Sequence, residues 1–296
     1  MSDFVQQQHI ECTFSNSGSW VILSPIEQSI KRKIEAIGIP LKDWDININY
    51  GIKTGYNDAF IISTEKREEI LAHCRTEDER DRTAELIRPI LRGRDIKRYE
   101  YEWANLWLIA TFPSRHYDIE QYPAVKSYLL SFGIERLEQT GETHIVNGEN
   151  IKSRKRTNNK WFETQDSINY WDDFSKPKIV WGNLNLTASY ALVENNSFIN
   201  APSPMIVPAS KYLLAILNSR LADYYVRQLG VTRNGGYFEY KPMFIEKLPV
   251  PKINSDDKKL VQIETLVDCA DYAAIDPIIY DIYRLTNEEI NYINSL

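Results

Sequence analysis

Apolar residues recur at helical spacing in two long stretches, and these predict the two best-defined helices of the chain. The first covers residues 24–37, where Ser24 and Glu27 can form a capping box and Gly38 follows the last turn. Its apolar face carries Ile26, Ile30, Ile34 and Ile37. The second covers residues 210–230, which we expect to form one continuous helix.

Shorter patterns predict strands and helices in the remaining chain. Residues 45–64 alternate as a strand, turn at two glycines and resume as a strand, and residues 86–104 indicate a basic connection into a strand at 105–112. We also expect helices at 63–74 and 122–133, strands at 177–184 and 188–194, a hairpin at 231–240 and a Pro-bounded connector at 248–252. Residues 147–160 are polar, which predicts a loop or a mobile segment.

The order of these elements predicts a mixed α/β (α+β) fold with a helical appendage at its C-terminal end. We expect three parts: a lead-in at 1–45 that contains the first helix, a central domain at 46–252, and a helical acidic tail at 253–296. A second capping box, formed by Thr286 and Glu289, predicts the last helix of the tail.

The charge of the chain is uneven, although its composition is ordinary for a globular protein, with 43% hydrophobic and 26% charged residues. Residues 254–296 hold nine acidic and three basic residues, so this tail accounts for the whole formal net charge of −6. An acidic chain can therefore still present a basic surface to a polyanion. No apolar run approaches the ~20 residues of a membrane span, and neither a secretory start nor a paired-cysteine pattern is evident. We therefore expect a cytoplasmic protein without a membrane segment.

The stretch GIKTGYNDAF looks at first like a loop that holds a nucleotide phosphate. A Walker A loop has four residues between its glycines and then Gly-Lys-Ser/Thr, whereas three residues separate Gly51 from Gly55 and no lysine follows. We interpret the stretch as a tight connection between two strands whose glycines tolerate left-handed angles. Lys53 and Thr54 could still contact a nucleic-acid phosphate from this turn.

The sequence contains no motif that supplies catalytic or metal chemistry by itself. Its four histidines are scattered, and the CxxC, HExxH and G-x-S-x-G patterns are absent. The Asn/Asp-Pro-Pro-Tyr tetrapeptide of adenine methyltransferases is absent as well. We therefore expect no catalytic residue, no metal site and no cofactor in this chain.

Two basic clusters are the main candidates for binding. One lies in residues 87–99, and the other, in residues 151–161, has no acidic residue and is mixed with amides. Because arginine and asparagine read guanine and adenine edges while lysine contacts phosphate, this composition predicts a DNA surface. We assign backbone contacts to Lys53, Thr54, Arg92 and Arg94, and positions near base edges to Arg154, Arg156, Asn158 and Asn159. Further candidates are Lys152, Lys155, Lys160, Arg233 and Asn234.

Five stretches in the same order resemble the TaqI-like C-terminal specificity domain of bifunctional restriction–modification enzymes. They are GIKTGYNDAFII (51–62), LIRPILRGRDIKRY (86–99) with WLIATF (107–112), KPKIVW (176–181), LLAILNSRLADYY (213–225) and FIEKLPVP (244–251). The ending at 275–293 resembles the helical close of these proteins, so the likeness covers most of the chain.

The resemblance implies a target-recognition domain like those of type I specificity subunits. Such a domain clamps duplex DNA in the prokaryotic cytoplasm, while a methyltransferase domain, in cis or in trans, flips out an adenine and methylates it. It also implies S-adenosylmethionine as the cofactor of a parent type IIG enzyme, with Mg²⁺ as a second candidate and with or without an endonuclease. The helix at 24–37 would then join the chain to the methyltransferase half.

Three other functions remain open at the level of sequence. The chain could be a stand-alone specificity subunit of a restriction–modification or phage-defence system. It could instead be a protein-interaction scaffold whose basic clusters meet an acidic partner, in which case DNA would not bind at low salt. An independent hydrolase would require a deep pocket lined by convergent carboxylates or histidines.

Overall fold

The computed structural model describes residues 23–194, 196–230 and 232–296. Its helices are α1 (Pro25–Ile37), α2 (Asn57–Phe60), α3 (Thr64–Ala72), α4 (Glu77–Leu86), α5 (Pro123–Leu130), α6 (Ile134–Leu137), α7 (Lys211–Leu217), α8 (Arg220–Arg227), α9 (Pro242–Ile245), α10 (Lys258–Asp268), α11 (Ile275–Ile282) and α12 (Asn287–Ser295). Its strands are β1 (Ile39–Pro40), β2 (Asn47–Tyr50), β3 (Ile61–Ser63), β4 (Ile87–Leu91), β5 (Leu106–Ile109), β6 (Thr143–Val146), β7 (Glu149–Lys152), β8 (Lys178–Trp181), β9 (Leu184–Asn185), β10 (Tyr190–Val193), β11 (Phe198–Ile199), β12 (Pro204–Val207), β13 (Phe238–Glu239) and β14 (Pro249–Val250).

A four-stranded antiparallel sheet, in the order β10-β8-β12-β2, lies between two hydrophobic cores. Successive side chains of a strand point to opposite faces. In β8, Ile179 and Trp181 therefore pack in one core while Val180 packs in the other. The two central strands are accordingly buried at every position, without an exposed alternate face.

The first core is formed mainly by helices. Ile30 and Ile34 of α1 are buried there together with Leu213 of α7, Ile263 of α10 and Ile279 of α11. The helical tail thus packs on this first core. The domain boundaries at 45 and 252 stay a prediction, and residues 1–22 of the lead-in lie outside the described residues.

The second core lies between the central sheet and a mixed sheet in the order β11-β4-β5-β3. Strand β11 runs parallel to β4, and the other pairs are antiparallel. Helices α3, α4 and α5 cover this sheet, with Ile70, Leu86 and Val125 buried in the core. The mixed α/β fold class that the sequence predicts is confirmed.

The helix predicted at 210–230 is two helices, α7 and α8, and the prediction of one continuous helix is wrong. The side chain of Asn218 takes part in sheet-like pairing: the Tyr190 N–H donates to its Oδ1 at 3.0 Å, and its Nδ2 donates to the Tyr190 carbonyl at 2.9 Å. Ser219 then caps α8 by accepting from the Ala222 N–H at 3.1 Å. Side-chain bonding to the backbone competes with the helix at this point.

Two further expectations also fail for topological reasons. The basic stretch at 86–104 is not only a connection, because Ile87–Leu91 forms β4. The two strands expected around Gly51 do exist, but β2 and β3 belong to different sheets and the one-turn helix α2 lies between them. The predicted helices at 24–37, 63–74 and 122–133 and the helical tail are confirmed.

The contact between α1 and α12 leads to a testable prediction about Glu289, whose side chain is buried. Burial alone would raise the pKa of Glu289, but hydrogen bonds from Lys33, the Thr286 N–H and Ser29 hold it below its ordinary value of 4.5. Glu289→Gln should lower the free energy of unfolding at pH 7 by about 1–3 kcal/mol, as loss of hydrogen bonds to a charged group does. Urea unfolding measures this difference.

The pH dependence follows from the lowered pKa in the folded state. A carboxylate with a depressed folded pKa stabilises the protein above the unfolded pKa and loses this effect as the pH falls through the folded pKa. The difference between wild type and Glu289→Gln should therefore shrink below pH 4.5. Glu288→Gln, at the exposed neighbouring position, serves as the control. If Glu289→Gln lowers the free energy of unfolding equally at pH 7 and below pH 4.5, this account is contradicted.

Candidate nucleic-acid interface

A cleft of about 750 Å³ lies where several loops meet at one end of both sheets. It is bordered by α2, by the loop after β4, by the β8–β9 turn, by the loop between β11 and β12, and by Tyr237 ahead of β13. Because β8 and β12 are antiparallel, the end of β8 and the start of β12 lie at the same edge of the sheet. The fold therefore brings together loops that are distant in sequence.

Two glycines allow these loops to approach each other closely. A Cβ atom at Gly51 would lie 2.4 Å from the Ile199 carbonyl oxygen, so no larger residue fits there. A Cβ atom at Gly93 would lie 2.7 Å from the Ser203 Oγ. In the stretch GIKTG, Gly51 thus serves loop packing, and it permits the backbone bond from Ile52 N–H to the Ile199 carbonyl.

The cleft carries an excess of positive charge. Arg92, Arg94 and Lys97 line it, and Asp58 is the single carboxylate among its described lining residues. Arg92 is held by Asp95, with Nη2 donating to Oδ1 at 2.7 Å, and these bonds raise the pKa of Arg92. Arg94 and Lys97 are exposed, so their charges are available to a ligand.

Amide groups from separate loops supply the hydrogen-bonding groups of the cleft. Asn57, Asn183, Asn185 and Asn200 line it. The Oδ1 atom of Asn183 is buried and has no hydrogen-bond partner among the described residues. An unsatisfied buried acceptor is costly, so a donor from a ligand at this position would be favoured.

Arg154 is buried, and the prediction that it lies near base edges is wrong. Its relative exposure is 4%, and its guanidinium donates to the carbonyls of Leu137 at 2.7 Å, Thr54 at 2.8 Å, Glu163 at 2.8 Å and Trp161 at 2.6 Å. It also lies over the Phe60 ring at 5.0 Å. Burial lowers the pKa of Arg154 to about 10, which leaves it charged at neutral pH. Arg154 therefore ties the turn at Thr54 to the 161–163 segment.

The neighbours of Arg154, residues 143–160, form a basic arm that consists of the β6–β7 hairpin and the loop after it. Residues 149–152 belong to the β6–β7 hairpin, so the loop prediction is wrong there, whereas residues 153–160 contain no helix or strand, as that prediction requires. Asn159 is half-buried and donates through its Nδ2 to the carbonyls of Thr164 at 3.2 Å and Gln165 at 2.8 Å. The other candidates remain exposed on this arm: Lys152, Lys155, Arg156, Asn158 and Lys160.

The segment 53–58 connects this basic arm to the cleft. Thr54 is 1% exposed and its Oγ1 bonds to Asn57 at 2.6 Å, so its side chain is not available for a phosphate, which corrects that prediction. Lys53 is exposed and pairs with Asp166 at 3.2 Å. Asn57, four residues further on, lines the cleft.

The turn that contains Arg233 and Asn234 lies next to Tyr237 at the cleft. Both residues are exposed, and Arg233 pairs with Glu239 at 2.6 Å. Phe238 pairs across to β9 while Thr232 bridges to Phe238, so a hairpin-like turn is present. Residue 231 of the predicted hairpin lies outside the described residues.

The part of the cleft that the central sheet supplies was not predicted from the sequence. Asn183, Asn185, Asn200 and Ser203 are absent from the predicted set. The available signal was the Gly-Asn pair after the buried strand KIVW and the Asn-Ala-Pro-Ser run before PMIV. Polar residues at one end of apolar strands mark a candidate site when the strands share a sheet edge.

The family model of the TaqI-like C-terminal specificity domain matches residues 88–250, and the chain belongs to this family. The type II methyltransferase M.XhoI of Xanthomonas vasicola is 21% identical over 282 residues, which are 93% of this chain and 47% of that protein. The chain thus spans about half the length of the curated relative that it matches.

Two solved structures share the fold. The type IIL restriction–modification enzyme MmeI, in complex with DNA, matches with a TM-score of 0.55 and 12% identity over 88% of this chain and 37% of that chain. The type IIG restriction endonuclease BpuSI matches with a TM-score of 0.57 and 13% identity over 91% of this chain and 31% of that chain. The fold of this chain therefore also occurs in part of each of these two enzymes.

The described residues contain neither a metal-binding cluster nor a membrane-spanning helix. No group of three or more histidine, cysteine, aspartate or glutamate side chains within those residues is arranged to hold a metal ion. In the same part of the chain, no helix combines the length and the apolar character that crossing a membrane requires.

The buried position of Arg154 leads to a stability prediction. Arg154→Met keeps much of the side-chain volume but leaves the carbonyls of Leu137, Thr54 and Trp161 without their donor, whereas the Glu163 carbonyl keeps a bond from Gln139. Each unsatisfied buried group costs about 1–3 kcal/mol, so we expect the free energy of unfolding to fall by at least about 3 kcal/mol. Arg156→Met, at an exposed position two residues away, should change it by less than about 0.5 kcal/mol. Equal effects in urea unfolding would refute the structural role of Arg154.

Proposed function

We propose that the chain reads a short sequence in duplex DNA, as the specificity part of a restriction–modification enzyme. The observation that carries this proposal is the cleft, which combines exposed Arg94 and Lys97 with amides from several loops. Cations position a nucleic acid through its phosphates, and amides read base edges. The specificity-domain family of the chain supports this proposal.

The basic arm would extend the contact along the duplex. Its exposed cations lie on the segment that Arg154 joins to the turn at Thr54, beside the cleft. We infer that Arg156 and Asn158 lie near bases, and that Lys53, Arg92 and Arg94 contact the backbone. Lys152, Lys155 and Lys160 on the arm and Arg233 and Asn234 on the turn next to Tyr237 are supporting contacts in this proposal.

In this proposal, the catalytic residues lie in another domain. The parent enzyme would be an adenine-N6 DNA methyltransferase that uses S-adenosylmethionine, of type IIG, with or without an endonuclease and Mg²⁺, acting in the prokaryotic cytoplasm. The cleft does not fit that cofactor, because its sulfonium cation would meet Arg92, Arg94 and Lys97 against a single carboxylate among the described lining residues. An adenine methyltransferase motif in the same reading frame, or in a partner subunit, tests this assignment.

The cleft can be tested as a phosphate-binding surface through salt dependence. Replacing both Arg94 and Lys97 by alanine should weaken duplex binding and reduce the slope of log K against log salt by about 0.9 for each lost phosphate contact. Lys258→Ala in α10, also an exposed cation, should leave both quantities unchanged. Fluorescence anisotropy across a salt series measures both. An unchanged slope in the double variant would remove the cleft from the interface.

Base reading should depend on Asn183 rather than on charge. Asn183→Ala should leave the slope of log K against log salt unchanged. It should reduce the discrimination against the wrong base by about 1–3 kcal/mol at one position of the recognised sequence. Selection of bound duplexes from a random pool, with wild type and variant in parallel, measures the preference. An identical selected sequence for both proteins would contradict a reading role for Asn183.

A further inference from the structure

A second cavity, of about 400 Å³, lies at the other end of the mixed sheet from the cleft. Leu106 of β5 borders the cleft, whereas Ala110 just beyond β5 borders this cavity. Four residue steps along an extended chain span about 13 Å. The cavity is therefore a separate site on the same sheet and does not depend on the function proposed for the cleft.

Three arginines line this cavity: Arg82, Arg88 and Arg115. Arg82 is engaged, since it pairs with Asp78 on its own helix. Arg88 on β4 is half-buried and has no hydrogen-bond or ion-pair partner within the described residues. Glu85 is the single carboxylate among the described lining residues of the cavity, and it forms no ion pair with Arg88. A half-buried guanidinium without an ion-pair partner favours an anionic ligand that offers two acceptor oxygens.

Aromatic rings form the remaining wall of the cavity. Tyr117 and Tyr122 meet edge to face at 6.0 Å, and the guanidinium of Arg115 lies over the Trp171 ring at 4.1 Å. Aromatic faces of this kind stack with a nucleobase, and the arginine stacked on Trp171 remains able to bind phosphate through its N–H groups. The cavity thus combines the two chemistries of a nucleotide unit.

We propose that this cavity binds a nucleotide unit, with its phosphate at Arg88 and Arg115 and its base against the rings of Tyr117, Tyr122 and Trp171. The unit comes from a free mononucleotide or from a single strand of nucleic acid, since both present the same phosphate and base. A phosphate alone would leave the aromatic wall unused, and a nucleoside alone would leave Arg88 without an ion-pair partner. The nucleotide should therefore bind more tightly than either part.

Isothermal titration of the purified chain with adenosine 5′-monophosphate, adenosine and inorganic phosphate tests this inference. We expect saturable one-to-one binding of the monophosphate, at least about tenfold tighter than binding of the other two ligands. Arg88→Met should weaken this binding by about tenfold or more, as loss of a charged hydrogen bond does. Arg80→Met, which removes an exposed charge from α4 outside the cavity, should bind as the wild type does.

A short single-stranded oligonucleotide distinguishes the two sources. If it binds and Arg88→Met weakens its binding as well, the ligand is a nucleic-acid strand; if the monophosphate alone responds to the variant, the ligand is the free nucleotide. Arg115→Ala, at an exposed position, should show the same loss with an unchanged circular dichroism spectrum, which guards against misfolding of the strand variant. Absence of binding by either ligand, an unaffected Arg88→Met variant, or phosphate binding as tight as monophosphate binding would overturn the proposal.

Discussion

A four-stranded sheet that is buried on both faces is the constraint on which the rest of the structure depends. Ile179 and Trp181 of β8 point into the helical core, and Val180 points into the other core. A shift of one residue in the pairing would exchange these side chains between two cores that are lined by different residues, so the register is strongly specified. The fixed register in turn places the β8–β9 turn beside the start of β12, and the cleft follows from that placement.

Local signals in the sequence were sufficient where structure is decided within a few residues. The capping box at Ser24 predicted the start of α1, and the box at Thr286 predicted α12, because both depend on bonds three residues apart. Local signals failed where a distant partner decides the outcome. Asn218 interrupts the predicted helix because its side chain pairs with Tyr190, 28 residues away in sequence.

The difference between local signals and distant partners also explains which residues of the candidate site were predicted correctly. Arg92 and Arg94 were found from a basic run, and they do line the cleft. Arg154 belongs to an equally basic run, but its partners are backbone carbonyls that no pattern of residue types can indicate. A charged residue in a basic cluster can thus stabilise the scaffold that presents its neighbours, and sequence alone does not separate the two roles.

The distribution of charge explains how an acidic chain can carry a basic cleft. Acidic residues of the tail are held by partners on the helical core, as in the pairs Lys33–Glu289 at 2.6 Å and Lys211–Asp268 at 2.5 Å. The tail packs against the face of the central sheet that holds Ile179 and Trp181, while the cleft lies at the end of the strands. The cleft itself holds Arg92, Arg94 and Lys97 against Asp58 among its described lining residues, so its local charge is positive although the net charge of the chain is negative.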